Sequence, residues 1–471
     1  MLDYKDSIHN YVFTHKAEII DTLKEIIKIP SVRANSENGA PFGKACAEAL
    51  EYIETLYCNN GLETKMDKES GYLLACYGKG EKTLGLFAHA DVVPVGNDWI
   101  FTSPFEPIEK EGYLIGRGVL DDKAAVVIAL YCAKMLKELN IPFNGRLLCY
   151  TGTNEESGMQ DIKAYLEKNK VPDFSLVNDS AFPLYRGNKA MLKLFADSQV
   201  PLDTIIGIEG SNVRGSVLGK VVFKLKYSDE LYDYLKANVN ERMSVNITQN
   251  EIEVSAEGIS YHTALPEGSL NAASIIAGVL EECQYISEND RRQMTFLKKV
   301  QHYYYGEPIG INSEDEFGKL TIVNDIIELR DSKIHLHFNL RFGCSVDIEW
   351  LKSQITSEFS KDKFNVEIES ESPSHIVDEN HPLIETCLNV YKGFTGDKDV
   401  EPRINAGGTY ARYIPSAIEI GTTLIWGAPS DGKPGHGGAH QPDECINIEG
   451  LLKAIELTML MLIECDKRIS N

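Results

Sequence analysis

Apolar and polar positions in the first third of the chain follow two periods, one typical of helices and one typical of buried strands. Helical spacing runs from about residue 4 to residue 28 and through "GKACAEALEYIETLYCNNG", "DDKAAVVIALYCAKMLKEL" and "MQDIKAYLEKN". Short apolar runs in "YLLACYG", "TLGLFAHAD" and "GRLLCYTG" predict strands between these helices. Strands that alternate with helices of this length predict a layered α/β domain, in which a mostly parallel sheet is flanked by helices.

A different pattern begins at about Ala190, where period-two segments such as "LGKVVFKLKYS", "QNEIEVSAEG" and "SKIHLHFNLRFG" are interrupted by a few helical stretches. This pattern predicts a separate α+β unit. After "ESPSHIVDENHP" the chain returns to the first pattern and ends in an amphipathic helix from about Ile448. We therefore predict one domain, formed by residues 1–189 and 384–471, that is interrupted by an inserted α+β domain of residues 190–383.

Charge and cysteine usage narrow the classes of function. The 471 residues carry 47 Lys and Arg against 70 Asp and Glu, a formal net charge of −23, which would repel nucleic acid and anionic membranes. We find neither a signal-peptide core at the N-terminus nor an apolar run of about 18 residues that would span a membrane. The ten cysteines show no CxxC pair, as expected for reduced thiols, so a cytoplasmic protein is predicted.

The stretch "LFAHADVVPVG" places His89 and Asp91 two residues apart near the end of a predicted strand. Residues two apart on a strand face the same side, so both would face one site. A metal-bound imidazole usually donates its other ring proton to a carboxylate, and Asp91 is placed to accept it. A histidine at a strand end is also commonly a satisfied polar residue, so this stretch alone leaves both interpretations open.

Carboxylates follow two further predicted elements. In "GRGVLDDKAAV" a glycine-rich loop presents Asp121, a candidate bridging ligand, and Asp122, which we interpret as a helix cap or a surface residue. In "LLCYTGTNEESG" an apolar strand leads into Glu155 and Glu156. Burying both would be costly without a cation or a shared proton, although adjacent acids commonly mark a solvated turn. One could bind metal while the other accepts a proton from water.

Two more stretches complete a candidate metal site. Asp179 ends the apolar strand of "FSLVNDSAFPL", and the alternative is an aspartate in an ordinary turn. The segment "PGHGGAHQPDE" carries His436 and His440 on a flexible loop, and the alternative is that both are plain surface histidines. Strand ends in one sheet and a late loop thus supply nitrogen and oxygen ligands without a thiolate. Such a set suits two divalent ions, Zn²⁺ first and Mn²⁺ as the alternative, and predicts a two-metal hydrolase.

Seven motifs in order, from His89 to Glu444, resemble one known family. They are "HADVVP", "GRGVLDDK", "TGTNEESG", "NDSAFPL", "YHTALPEGSLNAAS", "GGTYAR" and "AHQPDE". The family is that of the co-catalytic metallopeptidases, which includes aminoacylases, carnosinases, glutamate carboxypeptidases and bacterial dipeptidases. The chain departs from the usual motifs at Ala124, around Asp179 and at Asp443, which bears on substrate preference or metal choice.

The resemblance assigns roles to these residues. It implies that His89, Asp179 and a bridging Asp121 bind metal, that Glu156 and His440 complete the second site, that Asp91 supports the first, and that Glu155 is the general base. In the inserted domain it implies a lid histidine, His262, as hydrogen-bond donor to the oxyanion, with Asn212 as a second donor. Arg341 would hold the terminal carboxylate of the substrate, together with Gly408 and Thr409.

The length of the inserted domain is similar to that of the lid of PepV-type bacterial dipeptidases, which implies a monomer that supplies its own lid histidine. We therefore predict a cytoplasmic, two-metal dipeptidase that cleaves short unblocked dipeptides and has no nucleic acid or membrane partner. An N-acyl-amino-acid deacylase of the same family is the alternative enzyme. A metal-binding protein that has kept the fold without turnover is the alternative outside enzymes.

Overall fold

The computed structural model describes residues 3–248 and 250–469. The chain divides into two compact units. The first unit comprises Met1–Gly187 and Ile376–Asn471, and the second comprises Asn188–His375.

The described residues contain eleven α-helices and twenty-two strands, numbered here in chain order. The helices are α1 (Lys5–Thr14), α2 (Lys16–Ile27), α3 (Lys44–Asn59), α4 (Lys123–Glu138), α5 (Gln160–Lys168), α6 (Asp229–Ala237), α7 (Ala272–Leu280), α8 (Glu288–Gln301), α9 (Ile348–Lys361), α10 (Pro382–Thr395) and α11 (Ile448–Ile469). The strands are β1 (Glu63–Asp67), β2 (Tyr72–Gly78), β3 (Thr83–His89), β4 (Ile108–Lys110), β5 (Tyr113–Ile115), β6 (Arg146–Gly152), β7 (Phe174–Ser180), β8 (Tyr185–Asn188), β9 (Ala190–Ser198), β10 (Ile205–Gly210), β11 (Lys220–Lys226), β12 (Met243–Thr248), β13 (Glu251–Glu257), β14 (Glu314–Asp315), β15 (Gly318–Lys319), β16 (Thr321–Arg330), β17 (Lys333–Phe342), β18 (Phe364–Ser372), β19 (His375–Ile376), β20 (Arg403–Asn405), β21 (Ala417–Gly421) and β22 (Cys445–Asn447).

The main sheet of the first unit has the order β1-β2-β6-β3-β7-β21-β8-β19. Its centre, β6-β3-β7-β21, is parallel, whereas β1, β2 and β8 join antiparallel at the sides. The central strands are almost continuously buried, which explains their unbroken apolar runs. Their carboxyl ends meet at one edge of the sheet, where ligands gather in such folds.

Helix α4 forms the middle of the core on this sheet. Fourteen of its sixteen residues are buried, and it contacts β3, α2 and α11. A helix that is apolar all round is stable only when neighbours cover every face, and these elements do so. The loop that leads into α4 is therefore held against the carboxyl end of β3.

The single helix predicted near residues 4 to 28 is two helices, α1 and α2, separated at His15. The backbone at His15 leaves helical geometry, with φ −95° and ψ 8°. Its ring Nδ1 lies 2.8 Å from the carbonyl oxygen of Tyr11, and the two rings stack. This side-chain contact takes up a carbonyl at the end of α1, and the periodicity of apolar positions carries no sign of it.

The second unit contains an antiparallel eight-stranded sheet of order β12-β13-β11-β10-β16-β17-β9-β18. Alternate residues of β9 and β17 enter a core with α7, α8 and α9, and the intervening residues of these strands are largely polar. Four helices begin at side-chain caps, namely Ser228, Asn271, Ser287 and Asp347, each of which accepts a backbone N–H of the first turn.

The predicted class, a layered α/β domain with an inserted α+β unit, is confirmed. Within the described residues, no helix combines the length and the apolar character that crossing a membrane requires.

Candidate metal centre and active site

His89 is the last residue of β3 and is almost fully buried. Its Nδ1 lies 2.9 Å from the carbonyl oxygen of Asp91, and its Nε2 lies 3.1 Å from Oδ1 of Asp121. Burial, the largest contribution, would lower the pKa of His89, but hydrogen bonds with Asp121 and Asp91 raise it well above its ordinary value. With Nδ1 engaged by Asp91, Nε2 is directed at the candidate metal ligands.

His89 and Asp91 do not share one face of a strand, because β3 ends at His89, but Oδ1 of Asp91 still lies 3.4 Å from Nδ1 of His89. Beyond that residue the chain leaves the sheet, and Val92 pairs in an isolated bridge with Val32. The Asp91 carboxylate accepts hydrogen bonds from the backbone nitrogens of Glu155 and Glu156, both at 3.2 Å. Asp91 therefore joins the end of β3 to the turn after β6.

Asp121 lies in the loop before α4, with its two carboxylate oxygens directed at different histidines. Oδ1 is 3.1 Å from Nε2 of His89, and Oδ2 is 3.1 Å from Nε2 of His440. Burial acts to raise the pKa of Asp121, but the hydrogen bonds with His440 and His89 hold it well below its usual range. The carboxylate is thus placed as a bridge between two groups of ligands.

The interpretation of Asp122 as a helix cap or a surface residue is wrong. Asp122 stands at the N-cap position of α4, but its side chain is fully buried and caps no backbone N–H of the helix. Its Oδ2 instead accepts a hydrogen bond from the backbone nitrogen of His89 at 3.3 Å. The apolar covering of α4 and β3 buries this carboxyl and raises its pKa well above the ordinary value.

Glu155 and Glu156 begin a short 3₁₀ turn after β6. Both oxygens of Glu156 lie 3.1 Å from Nε2 of His440. Burial, followed by the charge of Asp121, raises the pKa of Glu156 to about 7. Glu155 is 9 % exposed, and its Oε1 is buried without a hydrogen-bond partner among the described residues. Burial and the charge of Asp179 raise the pKa of Glu155 well above its ordinary value.

Asp179 lies near the end of β7, which is parallel to β3, so both strands present their last residues at the same edge. Its Oδ2 is 3.8 Å from Nε2 of His89. Burial and the negative charge of Asp121 raise the pKa of Asp179 well above its ordinary value.

His440 lies in the loop between β21 and β22, in the left-handed backbone region with φ 65°. Hydrogen bonds with Asp121 and Glu156 raise its pKa to about 11. The other histidine of this loop, His436, is directed away from this group, because its Nδ1 lies 2.6 Å from Oδ2 of Asp443. Asp443 also accepts hydrogen bonds from the backbone nitrogens of Ile100 and Phe101, so it anchors the loop that carries His440.

Two groups of side chains can hold metal ions. Ligand atoms of His89, Asp121 and Asp179 lie within 4.8 Å of one another, and so do those of Asp121, Glu156 and His440. Three carboxylates and two imidazoles without a thiolate fit divalent ions of hard or borderline character. The partnerless buried oxygen of Glu155 beside them is a second sign that this cluster is built around a cation or a substrate.

Sequence reasoning missed the groups that hold the Asp121 loop. Glu444 is fully buried and accepts hydrogen bonds from Arg117 at 2.7 Å and from the backbone nitrogens of Gly118, Leu120 and Asp121. Arg117 lies in the motif "GRGVLDDK" and Glu444 lies in the motif "AHQPDE", yet 327 positions separate them. The motifs mark the residues, but their pairing becomes visible only in the fold.

A second missed group holds the turn before Glu155. The carboxylate of Asp161 accepts hydrogen bonds from the backbone nitrogens of Thr153 and Asn154, and from the hydroxyl of Tyr410. Asp161 lies in an ordinary amphipathic helix, α5, where an acid in the first turn usually indicates favourable interaction with the helix dipole. The sequence alone therefore indicates only an interaction of Asp161 with the helix dipole, whereas in the structure Asp161 holds the turn before Glu155.

Gly408 and Thr409 lie at the start of a short 3₁₀ turn. A side chain at Gly408 would displace the guanidinium of the buried Arg412. The hydroxyl of Thr409 donates to Oε1 of Glu419 at 2.6 Å and accepts from the backbone nitrogen of Ala411. The Thr409 hydroxyl is therefore engaged by Glu419 of β21 and by the backbone of the turn.

The remaining predicted residues lie in the second unit. Nδ1 of His262 accepts a hydrogen bond from the backbone nitrogen of Ala264 at 3.2 Å, so the neutral ring carries its proton on Nε2. The side-chain amide of Asn212 pairs with both backbone groups of Ile327, at 3.2 and 2.9 Å. Arg341 is 8 % exposed and donates from Nε to Oδ1 of Asn339 at 3.0 Å.

Comparison with known proteins assigns the family. Residues 85–464 match the model of peptidase family M20/M25/M40. A protein of Staphylococcus epidermidis named "Putative dipeptidase" is 27% identical over 469 residues, which cover 95% of this chain and 96% of that protein.

Two solved structures have the same fold. Human carnosine dipeptidase 1 superposes with a TM-score of 0.61 at 15% identity, over 98% of this chain and 99% of that one. The dipeptidase Dug1p of Saccharomyces cerevisiae superposes with a TM-score of 0.60 at 15% identity, over 99% of both chains. The predicted resemblance is confirmed: the chain belongs to peptidase family M20/M25/M40 and is a metallopeptidase.

Proposed function

We propose that this protein is a metal-dependent dipeptidase that hydrolyses the peptide bond of short unblocked dipeptides. The observation that carries the proposal is the pair of ligand groups that share Asp121, beside a buried glutamate, Glu155, with a partnerless oxygen. The dipeptidase names of the relative from Staphylococcus epidermidis and of the two structural neighbours support this choice of substrate.

In this proposal His89 and Asp179 would bind the first metal, Glu156 and His440 would bind the second, and Asp121 would contribute to both sites. Zn²⁺ is proposed as the ion, with Mn²⁺ as the alternative, since imidazole and carboxylate ligands suit both. When bound, such a pair of ions supplies a Lewis acid for the peptide carbonyl and lowers the pKa of a water molecule. Asp91 supports His89 through Nδ1 and fixes the turn that carries the two glutamates.

Glu155 is proposed as the general base and later the general acid. Its backbone nitrogen is fixed by Asp91, and its buried position raises its pKa, which brings a carboxylate closer to the range useful for proton transfer at neutral pH. Oε1 would accept a proton from the attacking water and then donate it to the nitrogen of the leaving amino acid. This step needs an oxygen that no other group occupies, which is what Oε1 provides.

His262 is proposed as the donor to the oxyanion that forms on the peptide carbonyl. Because Nδ1 accepts from Ala264, the neutral imidazole presents an N–H at Nε2. Asn212 is proposed as a second donor, since its amide nitrogen has one hydrogen beyond the one that it gives to Ile327. Arg341 would bind the terminal carboxylate through its guanidinium, and Gly408 and Thr409 would contribute backbone groups.

We further propose a cytoplasmic monomer. All ten cysteines are free thiols, as is usual in a reducing compartment. The long inserted segment supports a monomer, because a lid of this length would let the chain supply its own lid histidine.

The proposal is tested by hydrolysis of a panel of unblocked dipeptides beside N-acetyl amino acids, with chelator-stripped protein before and after addition of Zn²⁺ or Mn²⁺. Cleavage of dipeptides that returns with metal supports the proposal. Cleavage of the acetylated compounds alone would assign an N-acyl-amino-acid deacylase instead, and cleavage of neither by metal-loaded protein would indicate a non-catalytic binder.

A further inference from the structure

A second cation lies next to Arg341 on the polar side of the second unit's sheet. Strands β9 and β17 pair without a bulge from His335 to Phe342, and Lys193 stands directly opposite Asn339. Arg341 follows Asn339 by two residues, so all three side chains leave the same face of the sheet. Lys193 and Arg341 are therefore diagonal neighbours, and long side chains at such positions reach each other.

A hydrogen bond within β17 orients the Arg341 guanidinium. Nε of Arg341 donates to Oδ1 of Asn339 at 3.0 Å, so the guanidinium is turned along β17 toward the residue that faces Lys193. Burial, followed by the positive charge of Arg341, lowers the pKa of Lys193 below its ordinary value. Two like charges are thus held close together at a cost that a ligand anion would offset.

Glu369 is the acid whose charge raises the pKa of Lys193 most, and it is already bound by other groups. Glu369 accepts both of its short hydrogen bonds from Arg214, at 2.6 and 2.8 Å, and its Oε2 also lies 3.1 Å from Nε2 of His337. Within residues 3–248 and 250–469, the ammonium of Lys193 forms no hydrogen bond or ion pair of its own. Burying a cation without a partner costs free energy, and a carboxylate of a bound ligand would offset that cost.

We propose that Lys193 and Arg341 together bind the two carboxylates of an acidic C-terminal residue, so that the enzyme prefers dipeptides ending in glutamate or aspartate. This inference rests on the proposed function, in which Arg341 receives the terminal carboxylate. Lys193 then receives the side-chain carboxylate of the same residue. The neutral amides glutamine and asparagine have the same shape but lack the charge that Lys193 selects.

The test compares alanylglutamate with alanylglutamine, a pair that differs in one charge, and reports the ratio of their kcat/KM values. A charge-assisted hydrogen bond in a half-buried site predicts a ratio of about ten to a hundred for the metal-loaded wild-type enzyme. Lys193→Met should bring the ratio to about one, and Lys193→Arg should restore most of it. Lys226→Met, which removes an exposed lysine of β11, is the matched control and should leave the ratio unchanged.

A wild-type ratio near one, or equal losses for both dipeptides in Lys193→Met, would overturn the inference. Equal losses would mean that Lys193 helps Arg341 to hold the terminal carboxylate common to both substrates.

Calorimetric binding of free glutamate against free glutamine, in wild type and Lys193→Met, provides a readout that does not need turnover. If no dipeptide is cleaved, the dipeptidase proposal fails. The Lys193 inference is then decided by whether glutamate binds more tightly than glutamine and loses this advantage in the variant.

Discussion

Oδ2 of Asp121 lies 3.1 Å from Nε2 of His440, although the two residues come from distant parts of the chain. Because the other oxygen of Asp121 is directed at His89, this carboxylate belongs to both candidate ligand groups of the described residues. The two groups should therefore respond differently when Asp121 or His440 is removed.

Substitution of the shared carboxylate should affect both metals. We expect Asp121→Asn to retain less than one ion per chain after dialysis, because it weakens two sites at once. His440→Ala should retain about one, because it removes a ligand from the second group alone. Metal analysis of the dialysed proteins checks both values. Asp397→Asn, an exposed acid of the first unit, is the control and should bind as wild type does; equal retention by all variants would contradict the ligand assignment.

Removal of the proposed oxyanion donor should act on turnover more than on binding. We expect His262→Ala to lower kcat by about a hundred- to a thousandfold, with KM within about threefold, because the lost hydrogen bond forms mainly in the transition state. Steady-state kinetics on a cleaved dipeptide measures both constants. His302→Ala removes an exposed histidine of the same unit and should behave as wild type. A rise in KM at constant kcat would instead assign His262 to substrate binding.

The buried pair that holds the Asp121 loop should contribute strongly to stability. We expect Arg117→Met to lower the free energy of unfolding by about 3–5 kcal/mol, because it leaves the Glu444 charge buried without its partner. Urea unfolding measures the change. The double variant Arg117→Met/Glu444→Gln should recover part of the loss; a single variant as stable as wild type would show that the backbone donors alone satisfy Glu444.

The free energy of unfolding should increase with pH because of the titration of Lys123. This fully buried ammonium donates to the carbonyl oxygens of Ile26 and Ile29, and burial lowers its pKa to about 7. Between this value and the ordinary value of 10.5, the unfolded chain binds the extra proton, so unfolding becomes harder as pH increases.

The corresponding measurement is urea unfolding at pH 7 and pH 9. The wild type should gain about 2 kcal/mol more over this range than Lys123→Met, in which the titrating group is absent. Lys137→Met, at an exposed position of the same helix, should follow the wild type. Parallel pH profiles for wild type and Lys123→Met would show that Lys123 remains charged in the folded protein.

Features set by local patterns could be predicted from the sequence. The central strands β3, β6 and β7 are apolar because both faces of the sheet are covered, and each is followed by acids or a histidine at its carboxyl end. Topology alone then brings His89, Glu156 and Asp179 to one edge. The position of His440 at this edge could be predicted only from the order of the family motifs, because a glycine-rich loop has no periodicity that indicates where it folds back.

Features set by long-range contacts could not be predicted. The buried state of Asp122 depends on the backbone nitrogen of His89, and the pairing of Arg117 with Glu444 spans most of the first unit. Polar and apolar residues alternate along β17 as they do in a strand with one face in solvent, yet Asn339 and Arg341 on its polar side are buried. Period-two patterns report which side chains enter the apolar core, but not whether the other side is exposed.

The most direct test of the account is Glu155→Gln, measured for metal content and dipeptide hydrolysis in one preparation. The account predicts that the variant binds two metal ions per chain, as the wild type does. It also predicts a kcat lower by about a hundred- to ten-thousandfold, because the amide cannot accept the proton of the attacking water. Glu167→Gln, an exposed glutamate of α5, should retain full activity. Undiminished hydrolysis by metal-loaded Glu155→Gln would contradict the assignment of the general base and the mechanism built on it.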